Sequence, residues 1–380
     1  MALARLDGID WNFPGSGTYS GSVHAVHWFP GNFIPQLPSA LIQALSSAGE
    51  LVADPFCGSG TTALAAMELG RQAVASDQMR SSLLVTTSKV ALATYGLSKP
   101  VLTEFLSKLT FEHECRSDEF GRQGEGSASE LASWYGELTL QQLRYVWRLI
   151  EGTEAAQRAI LEGLFSEVLF QCASTRGSLT RSGKRRRHHW GWIADNVRPK
   201  EPIDSNAIEL FRVALLGASR VVPLTDAPAT SVVRADARAL PMATDSVDLV
   251  VTSPPYIGMI DYTHSSRMLY LWMGWSILDD RSQEIGARYR RGRKNLRATY
   301  MDDMRRSRDE LLRILKPDRH CAVIVGESRA FPGTAMEVIS SFGEMADLEW
   351  GPTVRTPTRR RVSDRLATEA AEYLAVFRKR

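Results

Sequence analysis

Cysteine is scarce in this chain: four in 380 residues, Cys57, Cys115, Cys172 and Cys321, far apart and with no Cys-x-x-Cys pair. That spacing suggests neither a disulfide framework nor a zinc site, and no metal is expected. Long apolar runs are missing too. No stretch approaches the ~18 consecutive apolar residues of a membrane span, and the opening MALARLDGID lacks the basic-then-apolar order of a secretory leader. A cytoplasmic protein with no membrane partner is the expectation. There is no internal repeat or low-complexity tract, and a net charge of +3 leaves no large excess of either sign. What remains is ordinary globular composition, 44% hydrophobic and 23% charged. It suffices for one large domain with an insertion, or for two domains.

The positive charge is clustered. Arg176 to Arg187 holds six Lys/Arg, with no acid between Glu167 and Asp195. A local basic surface of this kind attracts phosphates, whatever the total charge.

Residues 38–48 read as a helix, and LVAD at 51–54 as a strand running into Pro55 and the glycine-rich CGSG. TTALAAMELG has helical spacing and ends on Gly70, a C-cap residue, ahead of a second strand, QAVASD, at 72–77. This is a βαβ unit with its ligand edge at the strand C-termini. A helical, aromatic and charged stretch from 98 to 220 then interrupts the alternation, with GRQGEGSAS at 121–129 as its flexible loop. Four further strands are expected in SVVRAD (231–236), VDLVVTSPPY (247–256), HCAVIVG (320–326) and EYLAVFRK near the C-terminus. Together they predict an α/β protein with one twisted, mainly parallel sheet, divided as 1–97, a helical insertion at 98–220, and 221–380.

Two constellations carry chemistry. In the first, Asp54, Phe56, Gly58 and Gly60 precede Thr61 at a helix start. The glycines permit a sharp turn and close approach of a ligand, and the helix N-terminus supplies free N–H donors for a carboxylate. Asp77 closes the second strand, where an acid can hold a ribose hydroxyl pair; Asp236 ends a later strand and could face an adenine amino group. In the second, Thr252-Ser253-Pro254-Pro255-Tyr256 ends the apolar strand. Successive prolines stiffen a loop and leave its carbonyls free to accept from another group. With the Ser253 hydroxyl and the Tyr256 ring they make a slot for a planar group bearing an NH₂.

DPFCGSGTT and TSPPY resemble motifs I and IV of the amino-group DNA methyltransferases, which methylate N4 of cytosine or N6 of adenine. His27 to Phe33 (HWFPGNF) resembles their motif X, which closes over the methionine end of the cofactor. The resemblance covers residues 24–95 and 231–377. It implies a Rossmann-like sheet, S-adenosylmethionine as cofactor, and double-stranded DNA as partner. Pro30, Phe33, Asp54, Phe56, Gly58, Gly60, Thr61, Asp77 and Asp236 would bind the cofactor. Ser253, Pro254, Pro255 and Tyr256 would be catalytic, with Ser253 and the Pro254 carbonyl accepting from the amino group and Tyr256 stacking on a flipped base. The serine of TSPPY points to cytosine N4, with adenine N6 as the alternative and an RNA guanine-N2 methyltransferase a further one. C5 methylation would need a nucleophilic cysteine in a Pro-Cys loop, which the chain lacks.

DNA contacts are expected from Arg181, Lys184, Arg185, Arg186 and Arg187, followed by Trp190 and Trp192, and from Arg290, Arg291, Arg293 and Lys294. Basic residues interleaved with aromatics suit phosphate contact and stacking. The role implied is that of a restriction–modification or similar defence system, with cognate restriction or defence proteins as its partners.

Overall fold

The computed structural model describes residues 3–14, 22–109, 125–173, 178–180, 182–185, 190–356 and 371–380. Seven strands form its central sheet: β1 (Leu51–Asp54), β2 (Gln72–Asp77), β3 (Thr230–Arg234), β4 (Val247–Thr252), β5 (Leu315–Gly326), β6 (Ala346–Arg355) and β7 (Glu372–Lys379). Their order is β3-β2-β1-β4-β5-β7-β6. The first five are mutually parallel; β7 runs against both of its neighbours, β5 and β6. This is the expected Rossmann-like α/β sheet, mainly parallel.

All six residues of β4 are buried, which is why it reads as an uninterrupted apolar run: a parallel strand with both faces covered has no solvent side. Alternate residues feed two cores. Val52, Leu249 and Val251 join helices Gln36–Leu45 and Thr61–Glu68 on one face. Ala53 and Val250 join Leu296–Ile314 and Thr334–Gly343 on the other. The chain leaves β1 toward β2 on one side, while β4 lies on its other side. A crevice opens at such a switch point, beyond the strand C-termini, and both motifs stand there.

The insertion supplies helices Lys99–Lys108, Glu125–Ala132, Glu137–Glu151, Ala155–Ala173 and Ala207–Ala218, and a ribbon of Leu179–Thr180 with Pro199–Glu201. It shares a core with the sheet's own layer: Leu64, Met67 and Leu92 pack in one cluster with Leu161, Phe165 and Phe211. At Gly163 a Cβ would stand 1.9 Å from Ser88 Oγ, so Ala155–Ala173 lies directly on helix Arg80–Tyr95. None of the helices among the described residues is long and apolar enough to cross a membrane.

Two expectations need correction. The loop at 121–129 contains the start of helix Glu125–Ala132, whose Ala, Ser and Glu residues sustain a helix despite Gly126. Strand β6 has no counterpart among the expected strands. It is an edge strand with register shifts around Trp350 and a cis Gly351-Pro352 bond, and its burial does not alternate. The period-2 signal by which strands are recognised is therefore absent.

Candidate active site

Asp54 ends β1 with its side chain buried, and its Oδ1 accepts from Phe56 N–H (3.1 Å) and from Thr252 Oγ (2.6 Å). It thereby joins the ends of β1 and β4. Burial raises its pKa to about 6. Gly60 then takes φ +81°, and a Cβ there would lie 2.7 Å from Thr86 Cγ2, so only glycine fits. Gly58, at φ +52°, has open space except for the Phe29 ring, 3.6 Å from where a Cβ would be.

Of the residues assigned to the cofactor from the sequence, Pro30, Phe33, Phe56, Gly58, Thr61, Asp77 and Asp236 line one crevice. Asp54 and Gly60 instead brace the turn from behind it. Asp77 Oδ2 accepts from Gly58 N–H (3.0 Å) and Oδ1 from Met79 N–H (2.9 Å). Burial pushes its pKa up to about 6, against those two hydrogen bonds. Asp236 is gripped by the Arg238 guanidinium, with contacts of 2.8–3.1 Å, and Arg238 reaches on to Asp303 at 2.7 Å. Burial alone would raise the Asp236 pKa, but the hydrogen bonds from Arg238 outweigh it and hold the carboxyl below its ordinary value. Segment 27–33 forms the facing wall, where Asn32 Oδ1 accepts from Ser59 Oγ at 2.6 Å.

Ser253 and Pro255, at the end of β4, line the same crevice. The Tyr256 hydroxyl lies 3.3 Å from Ser253 Oγ and donates to Glu372 at 3.2 Å. Its ring rests on Gly326, where a Cβ would be 2.1 Å from a ring carbon. Pro254 is buried, and the Pro255 carbonyl accepts from Tyr300 OH at 3.0 Å. The ring and the Pro255 carbonyl are thus fixed before any ligand arrives, whereas Pro254 and Tyr256 are not among the residues that line the crevice.

Sequence reasoning missed Tyr262 and Glu284, which also line the crevice. Glu284 accepts from Thr263 N–H (2.7 Å), Tyr262 N–H (3.2 Å) and the Thr263 hydroxyl, capping the short helix Tyr262–Ser265. Burial and the nearby Asp261 raise its pKa to about 8. Nothing in the local sequence marks either residue; only the fold brings Glu284 back to the mouth of β4.

The second basic run borders this mouth. Arg291 Nε donates to the Gly258 carbonyl (3.1 Å), two residues beyond Tyr256, and Arg290 Nε to Tyr289 OH (2.8 Å). The guanidinium carbons of Arg281, Arg290 and Arg293 stand 4.0, 5.2 and 5.9 Å from the Tyr289 ring centroid. Lys294 is exposed, as are Lys184 and Arg185; Arg181, Arg186 and Arg187 lie outside the described residues. Among the described residues no group of His, Cys, Asp and Glu could hold a metal, and the buried Cys57, Cys172 and Cys321 form no disulfide.

The family model for N6/N4 DNA methylases matches residues 11–86, the stretch holding segment 27–33, the glycine turn and Asp77. Over that stretch the chain is similar to the amino-group DNA methylases. A type II methyltransferase of Methanocaldococcus jannaschii, M.MjaII, is 31% identical over 102 residues, which is 27% of this chain and 19% of that protein. The match thus spans about a fifth of the relative's length. Solved structures of S-adenosylmethionine-dependent methyltransferases align at low similarity. One from Methanosarcina mazei is 8% identical over 89% of this chain and 96% of its own, with a TM-score of 0.36. A TehB-like one from Corynebacterium glutamicum is 9% identical over 92% and 90%, at 0.34. At those scores they add nothing to the strand order.

S-adenosylmethionine is the cofactor of the amino-group DNA methylases, and the crevice suits it. Asp77 would offer a carboxylate to a ribose diol, the Thr61–Glu68 helix opens on the crevice, Gly58 leaves room where a side chain would intrude, and Phe29, Phe56, Met79 and Ile285 supply apolar wall.

Proposed function

We propose that the chain is a DNA methyltransferase that acts on an exocyclic amino group, with N4 of cytosine as the target. The observation that carries this is the meeting of Ser253 and Pro255 with Asp77 and Gly58 in one crevice. The cofactor turn and the amino-binding loop come from strands neighbouring in space but about 200 residues apart in sequence, and chance strand-ending turns would have no reason to converge.

S-adenosylmethionine supplies an electrophilic sulfonium methyl. The acceptor NH₂ is a weak nucleophile, because its lone pair is delocalised into the base. Ser253 Oγ accepts from it and favours a more tetrahedral nitrogen, while the Pro254 carbonyl offers the second acceptor. The prolines contribute by rigidity, since a preorganised acceptor loses no reorganisation energy during reaction. Tyr256, locked by Glu372 and Gly326, gives an immobile ring edge to the base slot. A base within a duplex must be flipped to enter, at a cost of about a few kcal/mol. Arg290, Arg291, Arg293 and Lys294 at the mouth, and the basic segment 176–187 of the insertion, would hold the phosphates on either side. A place in a restriction–modification system, in the cytoplasm, accords with this activity.

The test is incubation of the full chain with S-adenosylmethionine and mixed-sequence duplex DNA, followed by nucleoside mass analysis. N4-methylcytosine is expected. N6-methyladenine would transfer the reading to adenine; 5-methylcytosine, or methyl groups on RNA alone, would overturn it.

A further inference from the structure

The wall of the crevice formed by residues 27–33 is held from outside by the insertion. Three residues of helix Ala155–Ala173 reach it. Glu167 Oε2 accepts the Trp28 N–H at 3.1 Å, Ser166 Oγ lies 3.2 Å from His27 Nε2, and the Phe170 ring stacks on Trp28 with centroids 4.7 Å apart and planes at 15°. The next residue, Phe29, faces Gly58, and Asn32 takes the Ser59 hydroxyl. An unbroken path therefore runs from Glu167 to the glycine turn.

Glu167 is an expensive choice for this position. A mostly buried carboxylate is tolerated when hydrogen-bonded or paired, and this one, 14% exposed, takes Gln171 Nε2 at 2.9 Å on its other oxygen and faces the fully buried Lys89. Burial raises its pKa, lowers that of Lys89 to about 8 and keeps His27 neutral, its pKa brought down to about 3. An apolar side chain would fill the same space at lower cost but would leave the Trp28 N–H without its acceptor.

We propose that Glu167 is a positioning residue for the cofactor: by fixing the backbone of residues 27–33 over the glycine turn, the inserted helix completes the cofactor crevice from outside the sheet. This rests on reading the crevice as the S-adenosylmethionine site.

Calorimetric titration of the full chain with S-adenosylmethionine tests it, using Glu167→Leu and Glu167→Gln. The leucine variant should bind about tenfold to a hundredfold more weakly, the effect of one charge-assisted hydrogen bond. Glutamine keeps an acceptor and should restore affinity to within about threefold of wild type, at equal unfolding midpoints without ligand. Wild-type affinity in the leucine variant, or a glutamine variant as weak as leucine, overturns the role of Glu167. A wild type that does not bind S-adenosylmethionine at all overturns the reading of the crevice and this proposal with it. Should the leucine variant fail to fold, hydrogen exchange of the wild type decides: the Trp28 amide should be protected without ligand and slowed further by S-adenosylmethionine. Exchange at the solvent rate, or no slowing, overturns the proposal.

Discussion

Asp77 serves two ends with one carboxylate, accepting from the turn and facing the crevice. Its pKa, raised by burial to about 6, makes these duties separable by pH. Below that value the group is protonated and loses acceptor capacity, so affinity for S-adenosylmethionine should be flat above pH ~7 and fall by up to about tenfold per pH unit below ~6. Asp77→Asn should bind more weakly and lose the inflection. Stability moves the opposite way. Asp54 and Asp77 hold protons in the folded state at pH values where the unfolded chain, with an ordinary value of 3.8, has released them. Their contribution is fully present below about 3.8 and is lost as pH rises through about 6. Mild acidification should therefore weaken cofactor binding while these two groups favour folding; titrations and melting curves from pH 5 to 8 check both. At Ser253 the expectation is kinetic. Ser253→Ala should lower the single-turnover methylation rate by about 10²–10³, as for the loss of one preorganised polar group, with DNA and cofactor affinities retained.

Within the glycine turn, two positions with the same backbone requirement should fail in different ways. Gly60 is closed in by Thr86, and Gly60→Ala combines a left-handed backbone with overpacking, so a loss of roughly 2–4 kcal/mol in unfolding free energy is expected. Gly58 opens toward the crevice, and Gly58→Val should remove cofactor binding at a smaller cost in stability. Denaturant unfolding beside cofactor titration separates the two. The same element marks the limit of what the sequence made legible. A turn and its strand are local, so LVADPFCGSG and VDLVVTSPPY could be assigned from spacing and residue type alone. Glu284 and Tyr262 enter the crevice through a cap between residues about twenty apart, and Asp54 braces the turn behind it through a hydrogen bond to Thr252 on another strand. Such pairings exist only after the sheet has formed. Asp236 shows the same limit, since its neighbour Arg238 occupies the carboxylate that strand position alone left free.

Across the whole molecule, the proposed DNA-reading role of the insertion has to be separated by experiment from the core it shares with the sheet. Segment 176–187 follows in sequence on the helix that holds Trp28, and the test of its proposed role is to alter charge there. Each neutralised phosphate contributes about −0.9 to the slope of log affinity against log salt on duplex DNA. Replacing Arg185, Arg186 and Arg187 by alanine should therefore flatten the slope by about 0.9 for every phosphate that is no longer neutralised, and weaken binding most at low salt. Affinity for S-adenosylmethionine without DNA should stay unchanged, because the basic segment is assigned to DNA and Arg185 is not among the described residues that line the crevice. Arg291→Ala is the contrasting variant. It removes a positive charge but also the donor to the Gly258 carbonyl beside the Ser253–Tyr256 loop, so it should slow methylation of already bound DNA as well as weaken binding. Salt-dependent binding and single-turnover rates on both variants are the measurements. An unchanged slope in the triple variant would count against the insertion as the DNA-reading element.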